Sequence, residues 1–364
     1  MSIPKAIINL KYLKDNLDYL KSLSLKSDIY PVIKANAYGH GLEKVAIFLD
    51  KLKVKGVCVA TINEIKDLVD LNVSYSILHL GKISFSNFEL YSNKNIIATI
   101  NSMEDLVRIN NLSSTKSKVR VHIKVDTGMS RMGCSIEDFQ KIFDNCVSNK
   151  NISLEGVYSH LANSENNKIS YNTKQISSFN QLVKSLGSKT DNLKIHLLNS
   201  GGLFNYKNFK FDIIRSGLSI YGISPLGYPH EMLKPVMTLK APIVHSKNIK
   251  KGTMVGYGCN YEAPRDMKIS VVQCGYGDGI PFDFSNKGVV FLNKNILNIV
   301  GRVSMDLICI DTSKVSCEIG ENVIFWGGIL KESKLEFIAK RFDNIPYTFI
   351  TGLTNRVERE YVNE

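Results

Sequence analysis

From about residue 10 the apolar positions fall into two alternating rhythms. Leu10, Leu13, Leu17 and Leu20 recur at helical spacing, and Asn9 stands where its side chain would cap that helix. Short apolar or β-branched runs follow at residues 29–33, 54–59, 77–80, 96–100, 119–125, 154–158, 195–198 and 213–214. Helix-like segments separate most of them. One is 102–109, where Ser102 and Asp105 have capping-box spacing. Eight strands alternating with helices over about 210 residues is the arithmetic of a (β/α)8 barrel. A doubly wound open sheet would produce a similar alternation.

The texture changes after Pro225. Runs at 236–239, 243–249, 269–273, 289–292, 308–310 and 323–325 are short, β-rich and divided by Gly, Asn and Lys turns. These predict an α/β chain whose N-terminal (β/α)8 barrel, residues 1–228, precedes a mostly β C-terminal domain, residues 229–364. The first few residues are candidates for pairing with that β domain.

Composition narrows the function. With 44% hydrophobic and 22% charged residues, 364 residues suffice for a full core and two domains. The net charge of +12 comes mainly from lysines scattered singly along the helices. It predicts a solvated basic surface rather than a nucleic-acid stripe, and leaves room for a small anionic ligand. Seven cysteines, with no C-x-x-C pair and mostly in apolar runs, predict core thiols in a reducing compartment. No stretch reads as a signal peptide or a membrane span, so a cytoplasmic protein without nucleic-acid or membrane partners is expected.

In a barrel, chemistry collects at the C-terminal ends of the strands. Here those ends deliver Lys34, then Lys124 with Asp126 and Arg131, then His160, Asn199-Ser200, and Arg215 before Ser216-Gly217. A lysine closing an apolar strand has an ordinary reading, its stem packed and its amine in solvent. The other reading is a partly desolvated amine suited to a Schiff base with a carbonyl cofactor. Its company favours the second: Ser200 and the turns Gly201-Gly202 and Ser216-Gly217 present backbone N–H groups to a phosphate. A lysine on one side and a phosphate cradle on the other is what pyridoxal phosphate needs.

These residues resemble the bacterial alanine racemase family along essentially the whole chain. The run Val32-Ile33-Lys34-Ala35-Asn36-Ala37-Tyr38-Gly39-His40-Gly41 is similar to that family's cofactor-lysine signature. In the same order come 124–131, His160, Asn199-Ser200, 215–222, Val255-Gly256-Tyr257-Gly258, Gly275-Tyr276-Gly277-Asp278-Gly279 and Gly301-Arg302-Val303-Ser304-Met305-Asp306.

The resemblance implies that Lys34 carries pyridoxal 5'-phosphate and acts as the base for the D-enantiomer. It implies that Tyr257, from the β domain of a partner subunit, serves the opposite face, backed by His160 and Arg215. Arg215 would face the pyridine nitrogen. Tyr38, Ser200, Gly217 and Leu218 would hold the phosphate, with Asn199 beside them. Arg131 and the partner's Met305 would meet the substrate carboxylate. Lys124, as a carbamate, would position Arg131, and Tyr276 and Asp306 would support the site. A homodimer with shared sites acting on L- and D-alanine follows, with no metal. Ser216, Gly277, Ser304 and Asn355 depart from the family's usual residues, and the last puts a phosphate contact in doubt. Rival readings are a racemase of serine or another small amino acid, a decarboxylase of basic amino acids, and a non-catalytic pyridoxal-phosphate carrier. Arg215 argues against the decarboxylase, which pairs the pyridine nitrogen with an acid.

Overall fold

The computed structural model describes residues 3–24, 26–112, 118–166 and 170–364. The chain forms two compact units: one holds Leu17–Ala37 and Leu42–Ile220, the other the residues up to Asn16 with Tyr38–Gly41 and Tyr221–Glu364.

Strand β1 (Lys5–Asn9) and helix α1 (Leu10–Ser24) open the chain. Leu10, Leu13, Leu17 and Leu20 are all buried, and the Asn9 side chain accepts the Tyr12 N–H at 3.1 Å, as the spacing predicts.

Eight strands of the first unit follow: β2 (Asp28–Pro31), β3 (Gly56–Val59), β4 (Ser76–His79), β5 (Ile96–Ile100), β6 (Val119–Lys124), β7 (Ile152–Tyr158), β8 (Lys194–His196) and β9 (Ile213–Ser216). All neighbours are parallel. β3 to β8 pair in sequence order and β2 pairs with β9. Bridges Val32–Cys58 and Asn199–Arg215 join the two sets, so the ring closes as a (β/α)8 barrel. The closed ring excludes the open sheet. Strands such as β3 and β5 are buried at every position, which explains their continuous apolar runs.

The outer elements include α2 (Leu42–Lys51), α3 (Ile62–Asp70), α4 (Met103–Leu112), α5 (Ile136–Ser148), α6 (Ser170–Ser185) and the six-residue α7 (Ser200–Asn205). Ser102 accepts the Asp105 N–H at 3.4 Å, but the Asp105 carboxylate caps the Asn101 N–H instead of completing the box. Between β4 and β5 the chain makes 3-10 turns over Phe85–Ser92 rather than an α-helix.

The second unit is built on an eight-stranded sheet. Its long strand β10 (Met237–Ile249) spans both runs read separately in the sequence. With β11 (Met267–Val272), β12 (Val289–Leu292), β13 (Asn295–Asn298), β14 (Ile308–Asp311), β15 (Asn322–Trp326) and β16 (Glu358–Val362), it forms the order β13-β12-β15-β10-β1-β16, while β11 joins β10 to β14. β1 lies antiparallel to β10 and parallel to β16. Short helices α8 (Leu335–Arg341) and α9 (Pro346–Thr351) accompany an aromatic core in which Phe284 stacks on Phe342 at 4.4 Å and Trp326 meets Phe349 edge-on.

Candidate active site

The first unit's candidate residues stand at the carboxyl ends of its strands. Lys34 follows Ile33, whose N–H bonds the Cys58 carbonyl at 3.0 Å. Beyond Lys34 the backbone enters the left-handed region at four successive residues, Ala35, Asn36, Ala37 and Tyr38, with φ of 51 to 54°. Each such L-residue costs roughly 1–2 kcal/mol, so the turn needs outside support. The Glu64 carboxylate supplies it, accepting the Ala35 N–H at 2.7 Å as well as the Ala60 and Thr61 N–H groups. Asn36 adds a bond from the Leu42 N–H at 2.7 Å.

Arg215, at the end of β9, is buried and spends its terminal nitrogens on fixed acceptors. One bonds the Nδ1 of His196. The other donates to the Ser159 carbonyl at 2.7 Å, the Leu197 carbonyl at 3.1 Å and His160 Nδ1 at 3.2 Å. Its plane lies 4.9 Å from the Tyr158 ring centre. The Nε–H has no partner among the described residues, and no carboxylate pairs with the guanidinium there. Burial, and then this cation, hold His160 well below its ordinary pKa.

Lys124 ends β6, 6% exposed. Burial first, then Arg131 and Arg215, push its amine down to about 8. Lys34 acts in the same direction, so these four cations share one electrostatic neighbourhood. Asp126 shapes the loop beyond: its carboxylate accepts the N–H groups of Gly128, Met129, Ser130 and Arg131.

After β8, Asn199 caps α7 by accepting the Gly202 N–H at 3.0 Å. Ser200 Oγ lies 3.1 Å from Ser216 Oγ and receives the N–H groups of Gly217 and Ser219. Leu218 is buried and opens the turn Leu218–Tyr221. The Ser219 hydroxyl is buried without a partner. Sequence reasoning missed it, as it missed Tyr158, Thr99 and His122 beneath Arg215. Only their place in the strand register could have signalled them.

The remaining candidates belong to the sheet unit. Tyr38 stacks on Tyr221 at 5.1 Å, and His40, hydrogen-bonded to the Tyr38 carbonyl, stacks on the same ring. That is a structural setting for His40. Tyr257 lies on a turn between Gly256 (φ 76°) and Gly258 (φ 74°) and is 73% exposed. Met305 is 51% exposed, and its carbonyl accepts the Gly277 N–H at 2.9 Å, which ties it to Tyr276 and its neighbours. Arg356, also missed in the sequence, clamps the two loops by pairing with Asp278 at 3.1 Å and Asp306 at 2.6 Å.

Comparison with known proteins shows the family to which this arrangement belongs. The family model described as the N-terminal domain of alanine racemase matches residues 8–225, and that of the C-terminal domain matches 236–361. An alanine racemase from Coxiella burnetii is 35% identical over 370 residues, covering 98% of each chain. Among solved structures, alanine racemase from Bartonella henselae with covalently bound pyridoxal phosphate aligns at a TM-score of 0.90 and 30% identity, covering 100% of both chains. That from Bacillus anthracis with bound L-Ala-P aligns at 0.90 and 25%, covering 100% of this chain and 96% of the other. The fold and site thus define an amino-acid racemase of the barrel-and-sheet class, which works with pyridoxal phosphate. Within that class, the chain belongs to the alanine racemase family.

Proposed function

We propose that the protein interconverts L- and D-alanine with two proton-transfer groups, Lys34 and Tyr257, on opposite faces of a substrate held by pyridoxal 5'-phosphate. When bound, the cofactor delocalises the electron pair left by the departing α-proton. Lys34 would hold it covalently. The Ser200 hydroxyl, the N–H groups of Gly217 and Leu218, and Tyr38 would take its phosphate. The orphaned Ser219 hydroxyl, a buried donor beside Ser200, fits such an anion.

The observation that carries the reading is Arg215. It donates and never accepts, its Nε–H is left over, and no acid replaces it. Arg215 would donate its leftover N–H to the cofactor's ring nitrogen and would leave no acid there to protonate it, which would favour proton return to the same carbon over other outcomes. Lys34 takes or gives the proton at one face. Tyr257 does so at the other, with His160 behind it to lower the cost of the phenolate. Arg131 orients the substrate carboxylate, joined by the partner's Met305.

Tyr257 needs a second copy of the chain to serve this way. Met254, Tyr257, Tyr276, Phe282, Met305 and Leu307 are all large hydrophobic side chains exposed on the sheet unit, and a homodimer with shared sites would give such side chains a partner to pack against. Lys124 would carry a carbamate, whose negative charge relieves the crowd of cations and orients Arg131. Seven free cysteines, five of them buried, fit a reducing cytoplasm. There the product would feed peptidoglycan synthesis.

The test is stereochemical. Cofactor-loaded protein incubated with L-alanine in deuterated water is expected to yield D-alanine carrying α-deuterium, with both Lys34→Ala and Tyr257→Phe crippled. Turnover of serine in preference to alanine would move the substrate. A bound cofactor without turnover of any amino acid would leave a carrier.

A further inference from the structure

His122 lies inside the barrel on β6, 1% exposed, two residues before Lys124. Its Nδ1 is 2.9 Å from Nε2 of His196, whose Nδ1 bonds Arg215. We propose that His122 is a positioning residue for Arg215. By accepting the Nε2–H of His196, it holds that ring in the tautomer whose bare Nδ1 receives the guanidinium.

The direction of this chain is fixed by chemistry. Arginine carries five N–H donors and no acceptor, so His196 Nδ1 is unprotonated and its proton sits on Nε2. The contact between the two imidazoles then has one donor, His196. If His122 donated instead, His196 would need two bare nitrogens, which no neutral imidazole has. His122 therefore accepts at Nδ1 and carries its own proton on Nε2. Burial keeps both rings neutral, pushing His122 down to about 3 and His196 well below its ordinary value. A protonated His196 would set N–H against N–H at Arg215.

The surroundings admit little movement. Tyr158 stacks flat on His196, with ring centres 4.7 Å apart and planes 6° from parallel, and the Tyr158 hydroxyl is pinned by Thr99 at 3.0 Å. Gly156 makes room for the inner ring: a Cβ there would lie 2.9 Å from the His122 imidazole. Removing the acceptor at 122 leaves His196 Nε2–H buried and unpaired. Escape to the other tautomer would push the guanidinium away, and with it both the leftover Nε–H and the contact to His160.

The tautomers can be read directly by 15N NMR of histidine-labelled holoenzyme. His122 and His196 are expected as Nε2–H forms that do not titrate between about pH 6 and 9. An Nδ1–H form of either ring, or a ring that titrates in that range, overturns the proposal whatever the enzyme's activity. The second arm rests on the racemase reading. His122→Leu is expected to lower alanine kcat about ten- to a hundredfold, as loss of an imidazole-orienting partner does elsewhere. KM should change less, and the absorption band of the bound cofactor should shift. His122→Asn, whose Oδ1 can take the place of Nδ1, is expected to restore the band and most of kcat. Equal behaviour of Leu and Asn variants that both fold would overturn the role. Should His122→Leu fail to fold, His122→Asn with the wild-type band, together with the tautomer spectra, still decides the question. A wild-type protein without alanine turnover would count against the racemase reading and leave the spectra standing.

Discussion

At the scale of single residues, the site is a place where charges of one sign are held together by neutral supports. Arg131, Arg215 and Lys34 all act on the Lys124 amine, and the carboxylate closest in the chain, Asp126, is engaged with four backbone N–H groups. The Lys124 amine, pushed down to about 8 chiefly by burial, becomes neutral as pH rises through that value, far below an ordinary lysine near 10.4. Neutral amines are the form that captures carbon dioxide. Carbamate on Lys124 is therefore expected to grow as pH rises from 7 to 9 in 13C-bicarbonate, read by 13C NMR and absent in Lys124→Met; a signal unchanged in that variant would contradict it. Glu64 is the counterpart on the strained side. Its carboxylate is the support for the left-handed turn after Lys34, so Glu64→Ala should cost about 1.5–3 kcal/mol in denaturant unfolding and weaken cofactor retention. A variant as stable as wild type would show that the turn is held by other contacts.

At the scale of elements, legibility follows burial. The barrel strands were readable because most of their positions are buried and apolar, continuously so in β3 and β5, and Lys34, His160 and Arg215 stand out as polar residues at their ends. The turn at 35–38 was not readable: the two alanines favour an ordinary helix, and the opposite hand is held by the bond from Ala35 to the distant Glu64 and by the local bond from Leu42 to Asn36. β16, with Glu358, Arg359 and Glu360, carries no strand signal, and it forms because β1 offers it a parallel edge. The polar chain under Arg215 was equally hidden, since His122 and His196 are 74 residues apart in sequence. Gly39 shows how tightly the segment after Tyr38 is fitted. Its φ is +78°, and a Cβ would fall 1.9 Å from the Ile350 carbonyl oxygen in α9. Gly39→Ala should therefore destabilise the fold by at least about 2 kcal/mol in thermal or denaturant unfolding. A loss below about 0.5 kcal/mol would mean the segment relaxes freely.

At the scale of the whole molecule, the two proposed proton-transfer groups lie in different units: Lys34 in the barrel unit and Tyr257, 73% exposed, in the sheet unit. The claim that each site takes Lys34 from one copy and Tyr257 from another is the central one, and mixing tests it most directly. Purified Lys34→Ala and Tyr257→Phe proteins, each inactive, are to be unfolded together, refolded with pyridoxal phosphate and assayed for alanine racemisation. Random pairing makes half the dimers mixed, and each mixed dimer has one intact site, so activity should return to about a quarter of wild type. If the mixture stays as inactive as its components while the wild type refolds to full activity, both groups come from the same chain and the shared-site account is wrong.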